Sequence, residues 1–333
     1  MKKFLLYLTM ILFPLMTFAQ NTANTPKADW NGYIQLRATS NFNGINTIMV
    51  RRLKLWLKST PEFSDHWYYK LQITLSSLKQ EKFFLQDVKI GYKTGLFSFD
   101  FGQFVPQYSL QRFQPDYKIP AIERAKVIKA LIPDGTLGVR DIGIQANFHT
   151  KNDFLQTHLG IFNGYGIKNY RFDWQGYMIT HKTQLNIPIK NSSLKLGYSL
   201  QLRQAEKLQI SKVLPDSVLL TGKDFRYNLF AMFKSRTLQL QAEYLAAYLN
   251  KQKADGYYFL SVINLNQKNQ LVFGYERYKD LIASTSDKPF FRLGYDYEIK
   301  SYKTKISFDN FFQLTSGKIY NYFAAIQLQL FLK

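Results

Sequence analysis

Apolar and polar residues alternate with a period of two along nearly the whole chain, and almost no segment repeats with the helical period of about 3.6. Within the segment 194–204, for example, Leu194, Leu196 and Tyr198 are each separated by one polar or small residue. This pattern predicts an all-β chain. The sixteen predicted strands are 30–39, 48–58, 67–76, 84–94, 96–106, 141–149, 154–163, 176–187, 194–204, 225–234, 237–246, 256–265, 269–278, 290–298, 303–312 and 320–332.

The predicted strands are joined by connections that tend to alternate in length. The shorter ones are 59–66, 95, 150–153, 188–193, 235–236, 266–268 and 299–302, and the longer, polar ones are 40–47, 77–83, 107–140, 164–175, 205–224, 247–255, 279–289 and 313–319. Short turns at one end and long loops at the other are typical of a transmembrane antiparallel β-barrel with tilted spans of ~10 residues. A soluble β-sandwich is the alternative, although it gives no reason for this alternation.

Each predicted strand has one apolar face, which we expect to contact lipid because lipid cannot hydrogen-bond polar groups. Tyr and Trp residues near the strand ends are expected at the membrane interface. Arg51 and Arg277 are exceptions, since both fall on the lipid-facing side near the outer rim. We expect these two residues to pair with lipid phosphates.

The opposite face of the predicted strands carries fifteen bases and eight acids. The bases are Arg37, Arg52, Lys54, Lys58, Lys70, Lys89, Lys93, Lys182, Lys195, Arg203, Arg226, Lys234, Arg292, Lys303 and Lys305, and the acids are Asp87, Asp100, Asp141, Glu243, Glu276, Asp296, Glu298 and Asp309. Such a lining would attract anions into a water-filled lumen, because a low-dielectric wall focuses its field. The alternative is that these side chains only solvate a soluble surface.

The connection 107–140 is far longer than an ordinary loop and too apolar to be disordered. Its segment between Pro120 and Pro133 predicts a short helix. The connection carries six bases, Arg112, Lys118, Arg124, Lys126, Lys129 and Arg140, and three acids, Asp116, Glu123 and Asp134. Folded inward as the third extracellular loop, it would constrict the lumen and bring these charges to a permeating ion. If the connection instead lay over the outer rim, it would not constrict the lumen.

The charged faces of the strands and the connection 107–140 together define a predicted anion pathway. Its residues are Arg37, Arg52, Lys54, Lys70, Lys89, Arg112, Arg124, Lys126, Lys129, Arg140, Arg203 and Arg226.

The N-terminus has the layout of a secretory signal peptide. Lys2 and Lys3 precede an apolar run over 4–19, which ends in small residues before Gln20. A membrane anchor is disfavoured, because the run is shorter than the ~20 residues needed to span and Pro14 interrupts it. We therefore expect a signal peptide over 1–19, a short periplasmic segment over 20–29 and the barrel over 30–333.

Composition narrows the remaining choices. The chain of 333 residues contains no Cys, which excludes disulfide scaffolds, thiolate metal sites and Cys nucleophiles. Hydrophobic residues make up 46%, aromatic residues 17%, and the formal net charge is +21. This balance predicts anionic partners. Export argues against nucleic acid, so small anions, phosphate among them, and outer-membrane lipids remain.

No catalytic motif stands out in the sequence. The four histidines, His66, His149, His158 and His181, occupy predicted turns or strands, and neither Gly-x-Ser-x-Gly nor His-Glu-x-x-His occurs. We therefore expect neither an enzyme nor a cofactor. A barrel that serves as a binding or structural surface component, and a barrel hydrolase, remain the alternatives to a passive anion channel.

A series of short motifs occurs in order along the chain. They are Arg51-Arg52-Leu-Lys-Leu, Trp67-Tyr-Tyr-Lys-Leu-Gln, Leu85-Gln-Asp87-Val-Lys-Ile-Gly-Tyr92, Gly102-Gln-Phe-Val-Pro106, Ile122-Glu123-Arg124, Gly138-Val-Arg140-Asp141, Leu240-Gln-Ala-Glu243-Tyr244, Gly256-Tyr-Tyr and Tyr275-Glu276-Arg-Tyr278. In these motifs the sequence resembles the phosphate-selective porin O and P family of outer-membrane porins.

The resemblance implies a homotrimeric porin of about sixteen strands, with an inward-folded third loop and an Arg/Lys-lined path for anions. It also implies the outer membrane of a Gram-negative-type bacterium as the location. One departure is the C-terminus, Phe331-Leu332-Lys333, which does not end on the aromatic residue expected of outer-membrane barrels.

Overall fold

The structure is a computed structural model that describes residues 28–76, 82–132, 139–167, 176–209, 214, 217–279, 281, 289–315 and 317–333. The predicted signal peptide, and all but the last two residues of the predicted periplasmic segment, lie outside these residues. One short helix, α1, covers Lys126–Leu131. Within the described ranges, no helix is long and apolar enough to cross a membrane.

Sixteen strands lie within the described ranges, and each coincides with one of the predicted strands. They are β1 (Asp29–Ser40), β2 (Asn46–Ser59), β3 (Trp67–Ser76), β4 (Lys82–Thr94), β5 (Phe97–Phe104), β6 (Asp141–His149), β7 (Leu155–Phe162), β8 (Tyr177–Ile189), β9 (Ser192–Gln209), β10 (Leu219–Lys234), β11 (Leu238–Leu249), β12 (Gln252–Asn264), β13 (Asn269–Lys279), β14 (Phe290–Lys300), β15 (Thr304–Thr315) and β16 (Lys318–Phe331).

These strands form one closed antiparallel barrel, in which each strand pairs with its neighbours in sequence. β1 closes the barrel against β16, from the pair of Tyr33 with Phe331 to the pair of Ser40 with Ala324. Closure leaves no edge strand with unpaired backbone groups, as a sheet surrounded by lipid requires. The predicted all-β antiparallel barrel of sixteen strands is therefore confirmed.

The two faces of the strands differ as the alternation predicts. In β1, Gln35 and Arg37 point inward and are 1% and 4% exposed, whereas Leu36 between them points outward and is 41% exposed. An apolar outer surface of this kind suits contact with acyl chains. Arg277 in β13 is exposed on the outer face, and its pairing with lipid phosphates remains a prediction.

The connections divide the barrel into two ends. The turn end carries the connection between β2 and β3 and every second one after it, and the loop end carries the others. At the loop end, β11 and β12 are joined by only Asn250 and Lys251, whose φ values of 47° and 78° suit a two-residue hairpin turn. The predicted longer loop over 247–255 is therefore wrong. β9 and β10 likewise extend into the predicted loop 205–224.

A β-bulge changes the face on which Arg51 lies. Gln35 pairs with Arg52 and Leu36 pairs with Val50, so Arg51 is an extra residue in β2. Arg51 and Arg52 both reach carboxylates inside the barrel. The expected position of Arg51 on the lipid-facing side is therefore wrong, because the bulge shifts the inward and outward parity at this point.

The hydrophobic core lies inside the barrel and is built on the connection between β5 and β6, residues 105–140, which we call the inner loop. Helix α1 belongs to the inner loop, and its Val127, Ile128 and Leu131 are at most 1% exposed. They form one cluster with Leu245 of β11 and Tyr258 of β12. The helix predicted in this segment is confirmed over six residues.

Candidate functional site

The described residues of the inner loop, 105–132 and 139–140, lie inside the barrel and are bound to several strands. Backbone and side-chain groups of Ser109–Gln111 donate three hydrogen bonds of 2.6, 2.7 and 2.9 Å to the carboxylate of Glu243 in β11. The backbone N–H of Val127 donates to Glu276 in β13 at 3.0 Å. Because both carboxylates are buried on the inward faces of their strands, the described part of the inner loop lies within the lumen.

At the turn end, an aromatic cluster holds the inner loop against the wall. The ring centroid of Tyr117 lies 5.5 Å from that of Tyr33, 6.0 Å from Trp56, 5.6 Å from Tyr302 and 4.9 Å from Phe331. Aromatic pairs at these separations contribute about 0.5–1.5 kcal/mol each beyond the area they bury. The C-terminal aromatic residue thus faces inward and helps to fix the loop.

A cavity of about 810 Å³ remains between the inner loop and strands β1–β7. It extends from Thr74 and Phe84, near the loop end of their strands, to Lys58 and Asp153 at the turn end. In the described part of the chain, no residue of β8–β16 lines this cavity, because the inner loop fills the space in front of those strands. The cavity is therefore elongated along one side of the barrel wall.

The lining of this cavity is rich in positive charge. Ten Lys or Arg side chains and five Asp or Glu side chains line it among the described residues, an excess of five positive charges. The bases are Arg51, Arg52, Lys54, Lys58, Lys70, Lys89, Arg112, Arg124, Lys129 and Arg140, and the acids are Asp87, Asp100, Asp116, Glu123 and Asp153. Within a low-dielectric wall, such an excess raises the local concentration of anions.

Eight of the twelve predicted pathway residues line this cavity. They are Arg52, Lys54, Lys70, Lys89, Arg112, Arg124, Lys129 and Arg140. Arg37, Arg203 and Arg226 also point inward from the wall, and Lys126 lies in α1 of the inner loop, but the structure brings none of these four to the cavity. The inner loop separates the three strand residues from the cavity, and the alternation along a strand cannot tell which part of the wall a loop covers.

These four bases each have other partners. Arg37 donates to Glu123 at 2.6 Å, and Lys126 lies 4.0 Å from the ring centroid of Phe290. The guanidinium of Arg226 is fully buried. The partner of both Arg203 and Arg226 is Asp224 in β10, at 3.8 and 2.7 Å.

Asp116 of the inner loop gathers three bases. Its carboxylate contacts Arg124 in the same loop, Lys54 at 2.5 Å and Arg52 at 3.8 Å, the last two from β2. Burial alone would raise the pKa of Asp116, but the charges of Arg124, Arg52 and Lys54 hold that pKa well below its usual range. Asp116 is therefore ionised at neutral pH, with three positive charges around it.

Glu123 of the inner loop gathers a second set of bases. Its carboxylate accepts hydrogen bonds from Arg37 of β1 at 2.6 Å, from Arg51 of β2 at 2.8 Å and from Lys129 of α1. Burial acts to raise the pKa of Glu123, but the surrounding charges, foremost those of Lys129 and Arg51, hold it well below its usual range. Two strands and the helix thus converge on one carboxylate.

Two further carboxylates belong to the wall. Asp87 of β4 contacts Lys70 of β3 and, at 2.7 Å, the guanidinium of Arg140 at the end of the inner loop. Asp100 of β5 lies 2.7 Å from Lys89 and accepts a hydrogen bond from the Tyr68 hydroxyl at 2.6 Å. A bulge beside Asp87 turns the neighbouring Gln86 inward as well.

The predicted pathway omitted several residues that line the cavity, among them Arg51 and Phe113. Arg51 reaches the cavity only because of the β2 bulge. The signal for it was the pair of consecutive arginines, because an arginine that faces lipid is costly. Phe113 of the inner loop is 44% exposed inside the cavity, beside Arg112. No local pattern indicates an apolar side chain exposed within a lumen.

Three histidines of the described chain contact polar groups of neighbouring strands and turns. His158 lies 2.7 Å from the amide oxygen of Asn147, and His181 lies 3.2 Å from the Thr157 hydroxyl. His149 lies 3.3 Å from Asp153. Among the described residues, no three His, Cys, Asp or Glu side chains are grouped so that they could hold a metal ion.

Known sequences give one clear similarity. The sequence model of the family described as phosphate-selective porin O and P matches residues 27–262, which is more than half of the chain. Among curated proteins, no sequence matches this chain.

Known structures share the fold at low sequence identity. OprB of Pseudomonas putida, in its high-pH structure, has a TM-score of 0.67 and 12% identity, covering 92% of this chain and 94% of its own. The anion-selective porin from Comamonas acidovorans has a TM-score of 0.63 and 11% identity, covering 92% of this chain and 99% of its own. In-vitro folded OmpT of Vibrio cholerae, in its trimer form, has a TM-score of 0.65 and 11% identity, with coverages of 92% and 100%.

The family match and the fold lead to the same conclusion. The match covers β1 to β11 and most of β12, including the inner loop that shapes the cavity. Among the similar solved structures, OmpT of Vibrio cholerae is described as an outer membrane protein and the Comamonas acidovorans protein as a porin. The chain belongs to the phosphate-selective porin O and P family, and it is an outer-membrane β-barrel porin.

Proposed function

We propose that this porin forms a passive channel that prefers anions, and that phosphate is among the solutes it passes. The observation that carries the proposal is the cavity lining, with ten bases against five acids. Each of the loop carboxylates Asp116 and Glu123 is shared among three bases, so the ion pairs leave positive charge uncompensated. That excess attracts anions and repels cations along the path.

Phosphate as a permeant solute is supported by the types of donor in the cavity. Guanidinium groups such as those of Arg52, Arg124 and Arg140 bind oxyanions through paired hydrogen bonds, which ammonium groups do not provide. The family description names phosphate selectivity, and the similar porin from Comamonas acidovorans is described as anion-selective. Both descriptions name anions as the selected solutes, and the positive excess of the cavity lining would attract anions.

Further proposals concern the mature protein and its partners. We propose that residues 1–19 are removed on export and that 20–29 form a short periplasmic segment before the barrel. N-terminal sequencing of the purified protein checks the cleavage site. We also propose a homotrimer in contact with outer-membrane lipids, supported by the trimer form of OmpT and by the apolar outer face. Chemical cross-linking in detergent tests the trimer.

The proposal is tested by phosphate titration of single channels in planar bilayers. In KCl solution, added inorganic phosphate is expected to reduce the chloride current, because it competes for the same bases. Sulfate at equal ionic strength is the control for a general effect of multivalent anions. Open channels whose current is indifferent to phosphate would contradict the phosphate part of the proposal.

A second candidate function is a binding or structural role without conduction. The observation in its favour is the inner loop, which packs α1 against β11 and β12 and fills one side of the lumen. Purified protein that inserts into bilayers and conducts no ions would support this role. We propose no catalytic reaction, since none of the contacts of His149, His158 and His181 in the described chain joins one imidazole to both a hydroxyl and a carboxylate.

A further inference from the structure

The ring of Phe113 distinguishes the cavity from the rest of the lumen. Aromatic side chains that point inward from the wall, such as Tyr33, Phe230 and Tyr258, are at most 5% exposed, whereas Phe113 of the inner loop is 44% exposed within the cavity. An exposed apolar ring costs free energy in water. A hydrated inorganic anion gains nothing from such a ring, because its contacts are hydrogen bonds and charges.

We propose that the cavity binds organic anions that carry an aromatic ring, with Phe113 as the contact for the ring and the neighbouring bases as the contacts for the anionic group. This inference rests on the proposed function and adds a class of solute to the same path.

The turn that carries Phe113 is held in a fixed position. The backbone N–H of Gln114 donates to the backbone oxygen of Leu110 at 3.2 Å. The Arg124 side chain donates to the backbone oxygen of Gln111 at 3.1 Å and to that of Gln114. Since Phe113 lies between Gln111 and Gln114, these bonds hold the turn on both sides of it. A ring presented by a rigid turn binds at a lower cost in conformational entropy.

Lys182 of β8 supports the Phe113 ring from the barrel wall. Its ammonium lies 5.3 Å from the ring centroid, within the range of a cation–π contact. The same ammonium donates to the backbone oxygen of Ser109 at 3.0 Å and to the side-chain oxygen of Gln107 at 3.3 Å. Lys182 is buried and does not line the cavity, whereas Phe113 does. Part of the ring therefore contacts the wall, and another part is left for a solute.

Two guanidinium groups accompany this ring. Arg112 precedes Phe113 in the chain, and Arg124 is bonded to the turn that carries it. Both arginines line the same cavity as the ring. Guanidinium groups bind carboxylate and phosphate oxygens through paired N–H donors. The site thus offers separate contacts for the two parts of an aromatic anion, its ring and its charged group.

Other apolar side chains extend the site. Phe84 of β4, Phe104 of β5, and Val105 and Pro115 of the inner loop line the same cavity. Pockets for small organic molecules have volumes of about 300–1,000 Å³ and combine apolar walls with a few polar groups. The cavity, with about 810 Å³, has this size and this mixture. An organic anion therefore matches the cavity more fully than a phosphate ion does.

The alternative is a purely steric role for Phe113. In that role the ring narrows the path and acts on every anion of similar size alike. In the proposed role the ring strengthens the binding of anions that carry a ring and leaves others unaffected. Two monoesters with the same charged group, phenyl phosphate and methyl phosphate, distinguish these roles.

The experiment compares the block of the chloride current by phenyl phosphate and by methyl phosphate in single channels of the wild type and three variants. F113A removes the ring, and F113L keeps an apolar side chain without a ring. F63A is the control, because Phe63 is 80% exposed in the connection between β2 and β3 and does not line the cavity. This variant removes an exposed ring outside the site.

In the wild type, we expect phenyl phosphate to reach half-block at a concentration about tenfold lower than that of methyl phosphate, because ring contact and apolar burial add to its binding. F113A should reduce this ratio to less than about twofold, and F113L should give an intermediate ratio. F63A should keep the ratio of the wild type.

Equal half-block concentrations of the two esters, in a wild type that prefers anions, would overturn the inference. An F113A channel in which the block by both esters changes by the same factor would also overturn it, because Phe113 would then act only by narrowing the path. A wild type without anion preference would instead overturn the proposed function.

Discussion

Arg226 and Arg140 both point into the barrel, yet they have different roles. Arg226 is fully buried, donates to both carboxylate oxygens of Asp224 at 2.7 and 3.1 Å, and also donates to the backbone oxygen of Leu131. It therefore ties the inner loop to β10. Arg140 donates to Asp87 at 2.7 Å at the edge of the cavity, where an anion can reach it. The difference lies in what covers each side chain.

This difference predicts opposite effects of the same substitution. R226M leaves the buried Asp224 with Arg203 at 3.8 Å as its remaining ion-pair partner in the described chain, and we expect a loss of about 3–5 kcal/mol in the free energy of unfolding. The KCl reversal potential should stay at the wild-type value. R140M should shift that potential toward zero and cost less stability, because Asp87 keeps the close contact with Lys70 after Arg140 is removed. Urea unfolding in detergent and bilayer recordings measure the two effects, and a selectivity change in R226M as large as that in R140M would contradict this assignment.

The inward position of such residues could be predicted from the sequence, whereas their exposure to the cavity could not. Period-two alternation places Arg203 and Arg226 inside, because side chains on a strand take alternate faces. Whether they meet water depends on the path of the inner loop, which is fixed by contacts between residues far apart in sequence, such as Val127 with Glu276. No local pattern encodes those contacts.

At the scale of elements, the inner loop is fixed by charge as well as by packing. Asp116 and Glu123 attach it to β1 and β2, while Val127 and Ile128 of α1 pack in the core on the other side. The loop is thus tied to opposite walls of the barrel. These ion pairs add to the hydrogen bonds of Glu243 and Glu276 and to the aromatic contacts of Tyr117, which also hold the loop in position.

The loop attachment should therefore persist in mild acid. The pKa values of Asp116 and Glu123 are lower in the folded chain than their ordinary values of 3.8 and 4.5. Their contribution to stability is fully present above those ordinary values and is lost only as the pH falls through the lower folded values. We expect the difference in the free energy of unfolding between the wild type and D116N to be the same at pH 7 and at about pH 5.

Urea unfolding of the wild type and D116N in detergent at the two pH values checks this expectation. A smaller difference at about pH 5 would mean that Asp116 takes up a proton in this range, and it would contradict the prediction. The comparison cancels the titration of groups that both proteins share, including His149 and His158 of the cavity lining.

The strands could be predicted more completely than the connections. A single alternating face specifies a strand such as β6 (Asp141–His149), which occurs as predicted. The turn at Asn250 and Lys251 was predicted as a longer loop. The reason is that strands extending beyond the lipid-facing apolar band carry polar residues there, so their composition resembles that of a loop. The bulge at Arg51 was missed because it reverses parity within one residue.

At the scale of the whole molecule, the barrel is asymmetric about its axis. The inner loop occupies the side of β8–β16, and the cavity follows β1–β7. The formal charge of +21 for the whole chain thus matters less for permeation than the excess of five positive charges in that cavity. Ion selectivity is a property of this lining, because a permeating ion is screened from more distant charges.

The most direct test of this account is the reversal potential of the wild-type channel in a planar bilayer with a KCl gradient. The account predicts a potential whose sign shows that chloride permeates more readily than potassium. A potential of the opposite sign would contradict the anion channel. Insertion without conductance would likewise contradict it and favour the binding or structural role.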